Sequence, residues 1–171
     1  MSNLPDSTEV LVIGGGIVGC SIVYHLTKLG IKDVVLLEQN QLTSGTTWHA
    51  AGLVGQLRAT SNLTHLARYT TELFAGLEQE TGQATGYRRT GSLSVALNIE
   101  RLEELNRQAS TARAFGIEVE QISATDVTTY WPDVNIEDIC GAVYLPGDGQ
   151  TNPVDTTQAL AAGARKGCAL I

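Results

Sequence analysis

The sequence predicts an α/β fold that begins with two parallel strands joined by a helix. Three features of residues 8–38 indicate it: an apolar run at residues 10–13, a helix-like stretch that reaches Leu29, and a second apolar run at residues 34–37. Short apolar runs on either side of an amphipathic stretch are typical of a strand–helix–strand unit in a parallel sheet. A Rossmann-like domain at the start of the chain is therefore expected.

The turn between the first strand and the helix reads Gly14-Gly15-Gly16-Ile17-Val18-Gly19. In a G-x-G-x-x-G motif, Gly14 permits the tight turn, Gly16 lets the backbone approach a pyrophosphate, and Gly19 lets helix and strand pack closely. The N-terminus of the helix offers unpaired N–H groups to the phosphates. A glycine-rich turn in an ordinary α/β domain is the alternative, and the elements on both sides of the motif argue against it.

An acidic residue, Glu38, ends the second strand, nineteen residues after Gly19. A carboxylate at this position can accept hydrogen bonds from the hydroxyl groups of an adenosine ribose, and it would repel a 2′-phosphate. The expected ligand is therefore FAD or NAD rather than NADP.

The remainder of the chain predicts further α/β structure. Residues 63–81 form an expected helix with an inner face of Leu63, Leu66, Thr70, Leu73, Phe74 and Leu77. The other expected elements are a strand at 93–97, a helix at 100–115 with Leu102, Leu105, Ala109 and Ala112 inward, a strand at 117–122, a short helix between Ser123 and Pro132, a strand at 142–145, and a helix at 153–166 capped by Asn152.

The last residues, 167–171, read as a turn followed by the start of a strand. Because an apolar strand at this position would need neighbours in a sheet, we expect the chain to be the N-terminal part of a longer protein. The alternative is a compact two-layer domain with an edge strand at its end.

Composition narrows the possible partners and compartments. The net charge is −7, from 11 basic and 18 acidic residues, which does not favour nucleic-acid binding. No apolar run approaches the roughly 20 residues that span a bilayer, and residues 1–6 lack the features of a targeting peptide. The three cysteines form no C-x-x-C pair and the three histidines no metal-site spacing, so a cytoplasmic protein without a metal is expected.

The segment at residues 43–56, TSGTTWHAAGLVGQ, directly follows the predicted ribose-binding strand. Its small residues suit a backbone that packs against a ligand. The segment contains His49, for which three roles are open. The imidazole could be structural, could act as a general base, or could attach a cofactor covalently as a nucleophile.

Together these motifs resemble a known family. The order of the glycine motif, Glu38 and residues 45–53 (GTTWHAAGL) is similar to the N-terminal part of the sarcosine and dimethylglycine dehydrogenases, which are D-amino-acid-oxidase-like FAD oxidoreductases. The resemblance continues through residues 77–82, 91–93, 144–149 and 159–165, so it covers nearly the whole chain. Residues 56–58, Gln-Leu-Arg, resemble the sarcosine dehydrogenases more.

The resemblance implies a set of FAD-binding residues. His49 would be joined covalently to the 8α-methyl carbon of the flavin. Glu38 and Gln39 would line the ribose. The other implied positions are Gly14, Gly16, Ile17, Val18 and Gly19 at the pyrophosphate, and Gly45, Thr46, Thr47, Trp48, Ala50, Ala51, Gly52 and Leu53 along the pyrophosphate and flavin.

The resemblance also implies a reaction and a domain organisation. The expected reaction is oxidation of a small N-methyl amine or amino acid by hydride transfer to FAD, with an electron-acceptor protein as a further candidate partner. Residues 1–85 would begin the FAD-binding domain, residues 86–149 would begin an inserted α+β substrate domain, and residues 150–171 would return to the incomplete FAD-binding domain. Arg58, Arg88 and Arg89 could pair with a carboxylate, although surface arginines are common.

We expect no catalytic residue within the chain, and the chain by itself should neither hold FAD tightly nor turn over substrate. Three alternatives remain open: an NAD-dependent dehydrogenase, a related amine or amino-acid oxidase with noncovalent FAD, and a non-catalytic regulatory protein of the same fold.

Overall fold

The computed structural model describes residues 5–171, so the interpretation of residues 1–6 as lacking a targeting signal falls mostly outside the described residues. The elements in chain order are β1 (Val10–Ile13), α1 (Ile17–Lys28), β2 (Val34–Leu37), a 3₁₀ turn (Thr47–His49), β3 (Leu53–Val54), α2 (Ser61–Thr81), β4 (Ser92–Ala96), α3 (Ile99–Ala114), β5 (Glu120–Ile122), α4 (Val127–Tyr130), β6 (Gly141–Leu145), β7 (Gly149–Gln150) and α5 (Pro153–Lys166).

The chain divides into two units. The first comprises the described residues up to Gly52, Leu73–Tyr87 and Thr151–Ile171, and the second comprises Leu53–Glu72 and Arg88–Gln150. Helix α2 contributes its first half to the second unit and its second half to the first. The sequence prediction placed residues 53–72 with the FAD-binding domain, whereas these residues pack in the second unit. The predicted boundaries refer to the domains of a longer protein, and they stay a prediction.

The first unit is built on a parallel pair of strands. Strands β1 and β2 pair in register from Val10 with Val34 to Ile13 with Leu37, as predicted. On the other side of β2, Leu170 forms a parallel bridge with Val35, with hydrogen bonds of 2.8 and 3.0 Å. Helix α1 connects β1 to β2, which is the crossover that a parallel pair requires.

Helices α1 and α5 pack closely within the first unit because glycines lie at their contact. A Cβ atom on Gly163 would lie 2.7 Å from the ring of Tyr24, and one on Gly167 would lie 2.5 Å from Cβ of Thr27. The Tyr24 side chain is buried, and its hydroxyl donates to both carboxylate oxygens of Glu80 at 2.9 and 3.0 Å. The predicted cap of α5 is confirmed, since the Asn152 side chain accepts from two backbone N–H groups at the start of the helix.

The second unit contains an antiparallel sheet in the order β4-β6-β5 and a separate two-residue pair, β3-β7. Helix α3 covers one face of the larger sheet. The predicted inward positions Leu105, Ala109 and Ala112 are buried there together with Val143 and Leu145. The other face is covered by a smaller cluster centred on Val127, Ile139 and Ala142.

Helix α2 departs from the prediction in its start and in its inner face. It begins at Ser61, and Leu63 and Leu66 are 51% and 61% exposed. The buried positions include Thr64 and Thr71 instead. Their hydroxyl groups bond to local backbone, since Thr64 exchanges hydrogen bonds with the backbone of Arg58 and Thr71 donates to a carbonyl three residues earlier. Threonines whose hydroxyls are satisfied locally can be buried, and a hydrophobicity pattern does not reveal this.

Candidate dinucleotide-binding site

The glycine turn after β1 leaves no room for side chains. Gly14 has a φ of +110°, which residues with a Cβ atom rarely adopt. Its N–H donates to the carbonyl of Leu37 at 2.8 Å, which ties the turn to β2. A Cβ atom on Gly19 would lie 1.9 Å from the carbonyl oxygen of Gly14. The turn therefore packs against the first turn of α1 through backbone alone.

The N-terminus of α1 presents backbone donors that could hold an anion. Gly16 is the residue that precedes the helix, and the first turn carries no acidic residue. Within residues 5–171, no group accepts a hydrogen bond from the N–H of Gly16 or Val18. Since the helix dipole adds positive potential at this end, the arrangement fits a phosphate or pyrophosphate. A Cβ atom at Gly16 would narrow this cradle, since it would lie 3.0 Å from Oγ1 of Thr47.

The carboxylate of Glu38 lies beside the same turn. It accepts hydrogen bonds from the backbone N–H of Gly15 at 2.7 Å and of Asn40 at 3.0 Å. The Gly15 N–H, followed by that of Asn40, lowers the pKa of Glu38, so the group remains an ionised acceptor to a pH below its usual range. Each oxygen keeps lone-pair capacity for a ribose hydroxyl. The neighbouring Gln39 is exposed.

Gly15 is a site residue that the sequence reasoning passed over. A Cβ atom there would lie 2.5 Å from Cδ2 of Leu42 and 2.9 Å from Cβ of Glu38. Gly15 therefore allows the acidic residue to approach the turn. The run of three consecutive glycines was the available signal, because the motif demands Gly14, Gly16 and Gly19 but not Gly15.

Two buried threonines hold the segment after Glu38 against the glycine turn. Thr43 has a φ of +73°, and its N–H donates to the carbonyl of Gly15 at 2.9 Å. Thr47 accepts, through Oγ1, a hydrogen bond of 3.1 Å from the N–H of Ile17. The hydroxyl of Thr47 thus joins the 3₁₀ turn to the N-terminus of α1, thirty residues away in sequence.

His49 ends this 3₁₀ turn with its side chain exposed. Its ring centroid lies 3.8 Å from that of Trp48, with an angle of 39° between the ring planes. Among the described residues, none forms a hydrogen bond with an imidazole nitrogen of His49. The ring nitrogens are therefore accessible to a ligand, and the structure brings His49 and the glycine turn into one part of the first unit.

The chain leaves His49 through Ala50, Ala51 and Gly52. Gly52 has a φ of +75°, and a Cβ atom there would lie 2.1 Å from the carbonyl oxygen of Thr151. The N–H of Thr151 in turn donates to the carbonyl of Gly52 at 2.8 Å. This contact fixes the end of the histidine segment next to the residues that lead into α5.

The other predicted positions differ in their surroundings. Thr46, Ala50 and Ala51 are exposed, and a Cβ atom on Gly45 would meet nothing within 4 Å. Val18 is 70% exposed on the outer side of α1. Leu53 belongs to β3 in the second unit. The same unit contains three exposed arginines, Arg58, Arg88 and Arg89.

The thiol of Cys20 lies beside the glycine turn. Burial raises the pKa of Cys20 to about 11, so this thiol next to Gly19 stays protonated and unreactive at neutral pH. Within residues 5–171, no group of three His, Cys, Asp or Glu side chains could hold a metal ion. No helix in the same range is long and apolar enough to cross a membrane.

The Thr47–Ile17 hydrogen bond makes a testable contribution to stability. Thr47→Val keeps the branched shape but removes the acceptor, which leaves the Ile17 N–H unsatisfied. We expect the free energy of unfolding, measured by urea denaturation, to fall by about 1 kcal/mol. Thr46→Val is the matched control, because the neighbouring Thr46 is exposed and its side chain caps nothing. Equal stability of the two variants would contradict the assigned role of Thr47.

The chain is similar to known proteins over nearly its whole length. Residues 9–171 match the family model described as DAO, FAD dependent oxidoreductase. The solved structure of L-proline dehydrogenase from P. horikoshii superimposes with a TM-score of 0.90 at 27% identity, covering 98% of this chain and 44% of that chain.

Curated relatives extend the comparison. The chain is 43% identical over 162 residues to mitochondrial sarcosine dehydrogenase of Homo sapiens, covering 94% of this chain and 18% of that protein. It is 41% identical over 161 residues to mitochondrial dimethylglycine dehydrogenase of Rattus norvegicus, covering 94% and 19%. It is also 43% identical over 161 residues to the mitochondrial pyruvate dehydrogenase phosphatase regulatory subunit of Mus musculus, covering 94% and 18%. The chain thus spans about a fifth of the length of these relatives.

Proposed function

We propose that this chain, which belongs to the DAO family of FAD-dependent oxidoreductases, is the N-terminal part of an enzyme that oxidises an N-methyl amine or amino acid with FAD attached covalently to His49. The reaction class is that of the sarcosine and dimethylglycine dehydrogenases named among its relatives. The longer protein that would contain this chain is called the parent protein below.

One observation carries the covalent part of the proposal. His49 is exposed, its ring nitrogens accept and donate no hydrogen bond within residues 5–171, and its 3₁₀ turn is tied by Thr47 to the N-terminus of α1. An exposed imidazole can bond to water, so the missing partner alone does not distinguish His49. Its position does, because His65 is also exposed but lies in the second unit. An unengaged imidazole next to a pyrophosphate cradle is suited to act as a nucleophile toward the bound cofactor.

Each part of the site would have a distinct task in holding FAD. The N–H groups of Gly16 and Val18, at the positive end of α1, would bind the pyrophosphate. The ionised carboxylate of Glu38 would accept from the adenosine ribose, and its charge opposes a 2′-phosphate. Bound FAD would supply the redox chemistry by accepting a hydride from the N-methyl carbon of the substrate. We assign no catalytic base within this chain.

The domain organisation belongs to the same proposal. The first unit would form the first part of the FAD-binding domain, and residues 86–149 would begin the substrate domain. A small N-methyl amine is the proposed substrate, and an electron-acceptor protein is a proposed further partner. The cytoplasmic location stays a prediction, whereas the three curated relatives named above carry the word mitochondrial in their names.

Two further functions have specific support. The identity with a phosphatase regulatory subunit favours a non-catalytic regulatory relative. Without the covalent link, a noncovalent amine or amino-acid oxidase would account for the glycine turn and Glu38. Both alternatives leave the accessible imidazole of His49 without a task, and for this reason we rank them lower.

The decisive test is made on purified parent protein. We would denature it in acid, separate it by gel electrophoresis, look for flavin fluorescence at the position of the protein, and map the modified peptide by mass spectrometry. We expect the fluorescence to comigrate and the peptide containing His49 to carry the flavin. Complete release of flavin would favour the noncovalent oxidase, and absence of flavin would favour the regulatory relative.

Substrate class is tested separately by adding amines to the parent protein without oxygen. Sarcosine or dimethylglycine should bleach the flavin absorption. Glycine is the matched control, because it lacks the N-methyl group and should leave the spectrum unchanged. Bleaching by glycine at the same rate would contradict the proposed hydride donor.

A further inference from the structure

The indole of Trp48 packs against the imidazole of His49. The two ring centroids are 3.8 Å apart and the ring planes are inclined by 39°. Trp48 is itself 57% exposed, so burial of its ring within the chain does not explain its position. Because both side chains are exposed, we look for the purpose of this contact in the function of His49.

Within residues 5–171, no hydrogen bond holds the imidazole of His49. Its 3₁₀ turn is anchored through Thr47, but this fixes only the backbone. Since the ring nitrogens make no hydrogen bond with the described residues, the ring contact with Trp48 is the restraint on the side chain that the structure shows. The indole lies against one face of the imidazole. It therefore blocks rotations of the His49 side chain that would move the imidazole toward the indole.

We propose that Trp48 is a positioning residue that holds the imidazole of His49 in the orientation from which it attaches the flavin. The inference rests on the proposed covalent link at His49 and concerns the rate at which that link forms. Holding a nucleophile in a reactive orientation speeds a bond-forming step because the orientation no longer has to be found.

The attachment step defines what is measured. An imidazole nitrogen forms a bond to the 8α carbon of FAD, and that carbon loses one C–H bond while the imidazole loses its N–H proton. The electron pair and the two protons reside on the flavin ring, which is thereby reduced. Dioxygen, as the external two-electron acceptor, then reoxidises the ring and leaves as hydrogen peroxide.

The test compares the attachment rate in variants of the parent protein. Apoprotein from riboflavin-starved cells is mixed with saturating FAD in air, and acid-stable flavin is followed with time. Trp48→Leu keeps an apolar side chain but removes the ring, and we expect the first-order rate to fall about 3- to 10-fold. Trp48→Phe should restore most of the rate. The matched control is Trp131→Leu, at a tryptophan that is 53% exposed in the second unit, and it should attach flavin at the wild-type rate.

The dissociation constant for FAD before attachment and the thermal midpoint are measured on the same samples. Since attachment is followed at saturating FAD, a weaker affinity in Trp48→Leu would not by itself lower the rate. An unchanged thermal midpoint in this variant separates positioning from a structural role. A wild-type rate in Trp48→Leu, or a rate in Trp48→Phe as low as in Trp48→Leu, would overturn the proposal. Wild-type protein that binds FAD without attaching it would instead refute the covalent link, and this outcome is visible without any variant.

Discussion

His49→Ala in the parent protein is expected to abolish acid-stable flavin completely while leaving noncovalent FAD bound. The imidazole is the proposed nucleophile, and alanine offers no group that could replace it. The variant should retain FAD because the cradle at α1 and the carboxylate of Glu38 do not depend on the histidine side chain. Comigrating fluorescence after denaturation and the flavin-to-protein ratio before denaturation measure the two effects separately.

His65→Ala is the matched control for this prediction. His65 is exposed on α2 in the second unit and takes no part in the site. It should keep the full wild-type amount of covalent flavin. Covalent flavin that survives in His49→Ala would move the attachment to another residue and would remove the main support for the proposed function.

The N-terminal part of the fold follows from the sequence because local rules determine it. The runs that became β1 and β2 are apolar throughout, and the residues between them have helical character, so strand–helix–strand is the expected arrangement. It buries residues 34–36 of β2, whereas Leu11 and Ile13 of β1 stay 51% and 82% exposed. Asn152 followed by Pro153 likewise places the start of α5 to the residue, because both types suit their positions in the cap.

Other features depend on contacts between distant residues and could not be predicted in this way. Strands β3 and β7 have two residues each and no periodicity to detect, and they exist because they pair with one another. The predicted inner face of α2 is confirmed at Phe74 and Leu77, which are buried. It is wrong at Leu63 and Leu66, which are exposed, and the structure buries Thr64 and Thr71 nearby. A threonine reads as polar in a sequence, and only its local hydrogen bond shows that burial costs little.

The site shows the same distinction. The glycine positions and Glu38 were predicted from the geometry that a dinucleotide demands. Two hydrogen bonds, from the N–H of Thr43 to the carbonyl of Gly15 and from the N–H of Ile17 to Oγ1 of Thr47, each link residues about thirty apart in sequence. No spacing rule anticipates them. Yet these contacts bring the histidine segment to the glycine turn, which the resemblance to a family implied without giving a physical reason.

Gly19→Ala should lower the free energy of unfolding strongly, because the new Cβ atom has no room. At another glycine of the first unit, the same substitution should raise it. Alanine favours a helix over glycine by about 1 kcal/mol. At Gly19, however, the new Cβ atom would lie 1.9 Å from the carbonyl oxygen of Gly14, and the obstacle is backbone in a tight turn. Either the turn or the start of α1 must move, and we expect a loss of about 3 kcal/mol or more in the free energy of unfolding. The displaced turn should also abolish retention of FAD after gel filtration of the parent protein.

Gly76→Ala isolates the steric term in this comparison. Gly76 lies in α2 and in the same unit as Gly19, and a Cβ atom there would meet nothing within 4 Å. Without a clash, only the helix preference remains, and the variant should be more stable than the wild type by about 0.5–1 kcal/mol. Urea denaturation of both variants measures the two signs. A Gly19→Ala protein as stable as Gly76→Ala, with FAD retained, would mean that the glycine turn adapts to a side chain and that close backbone packing is not what the motif requires.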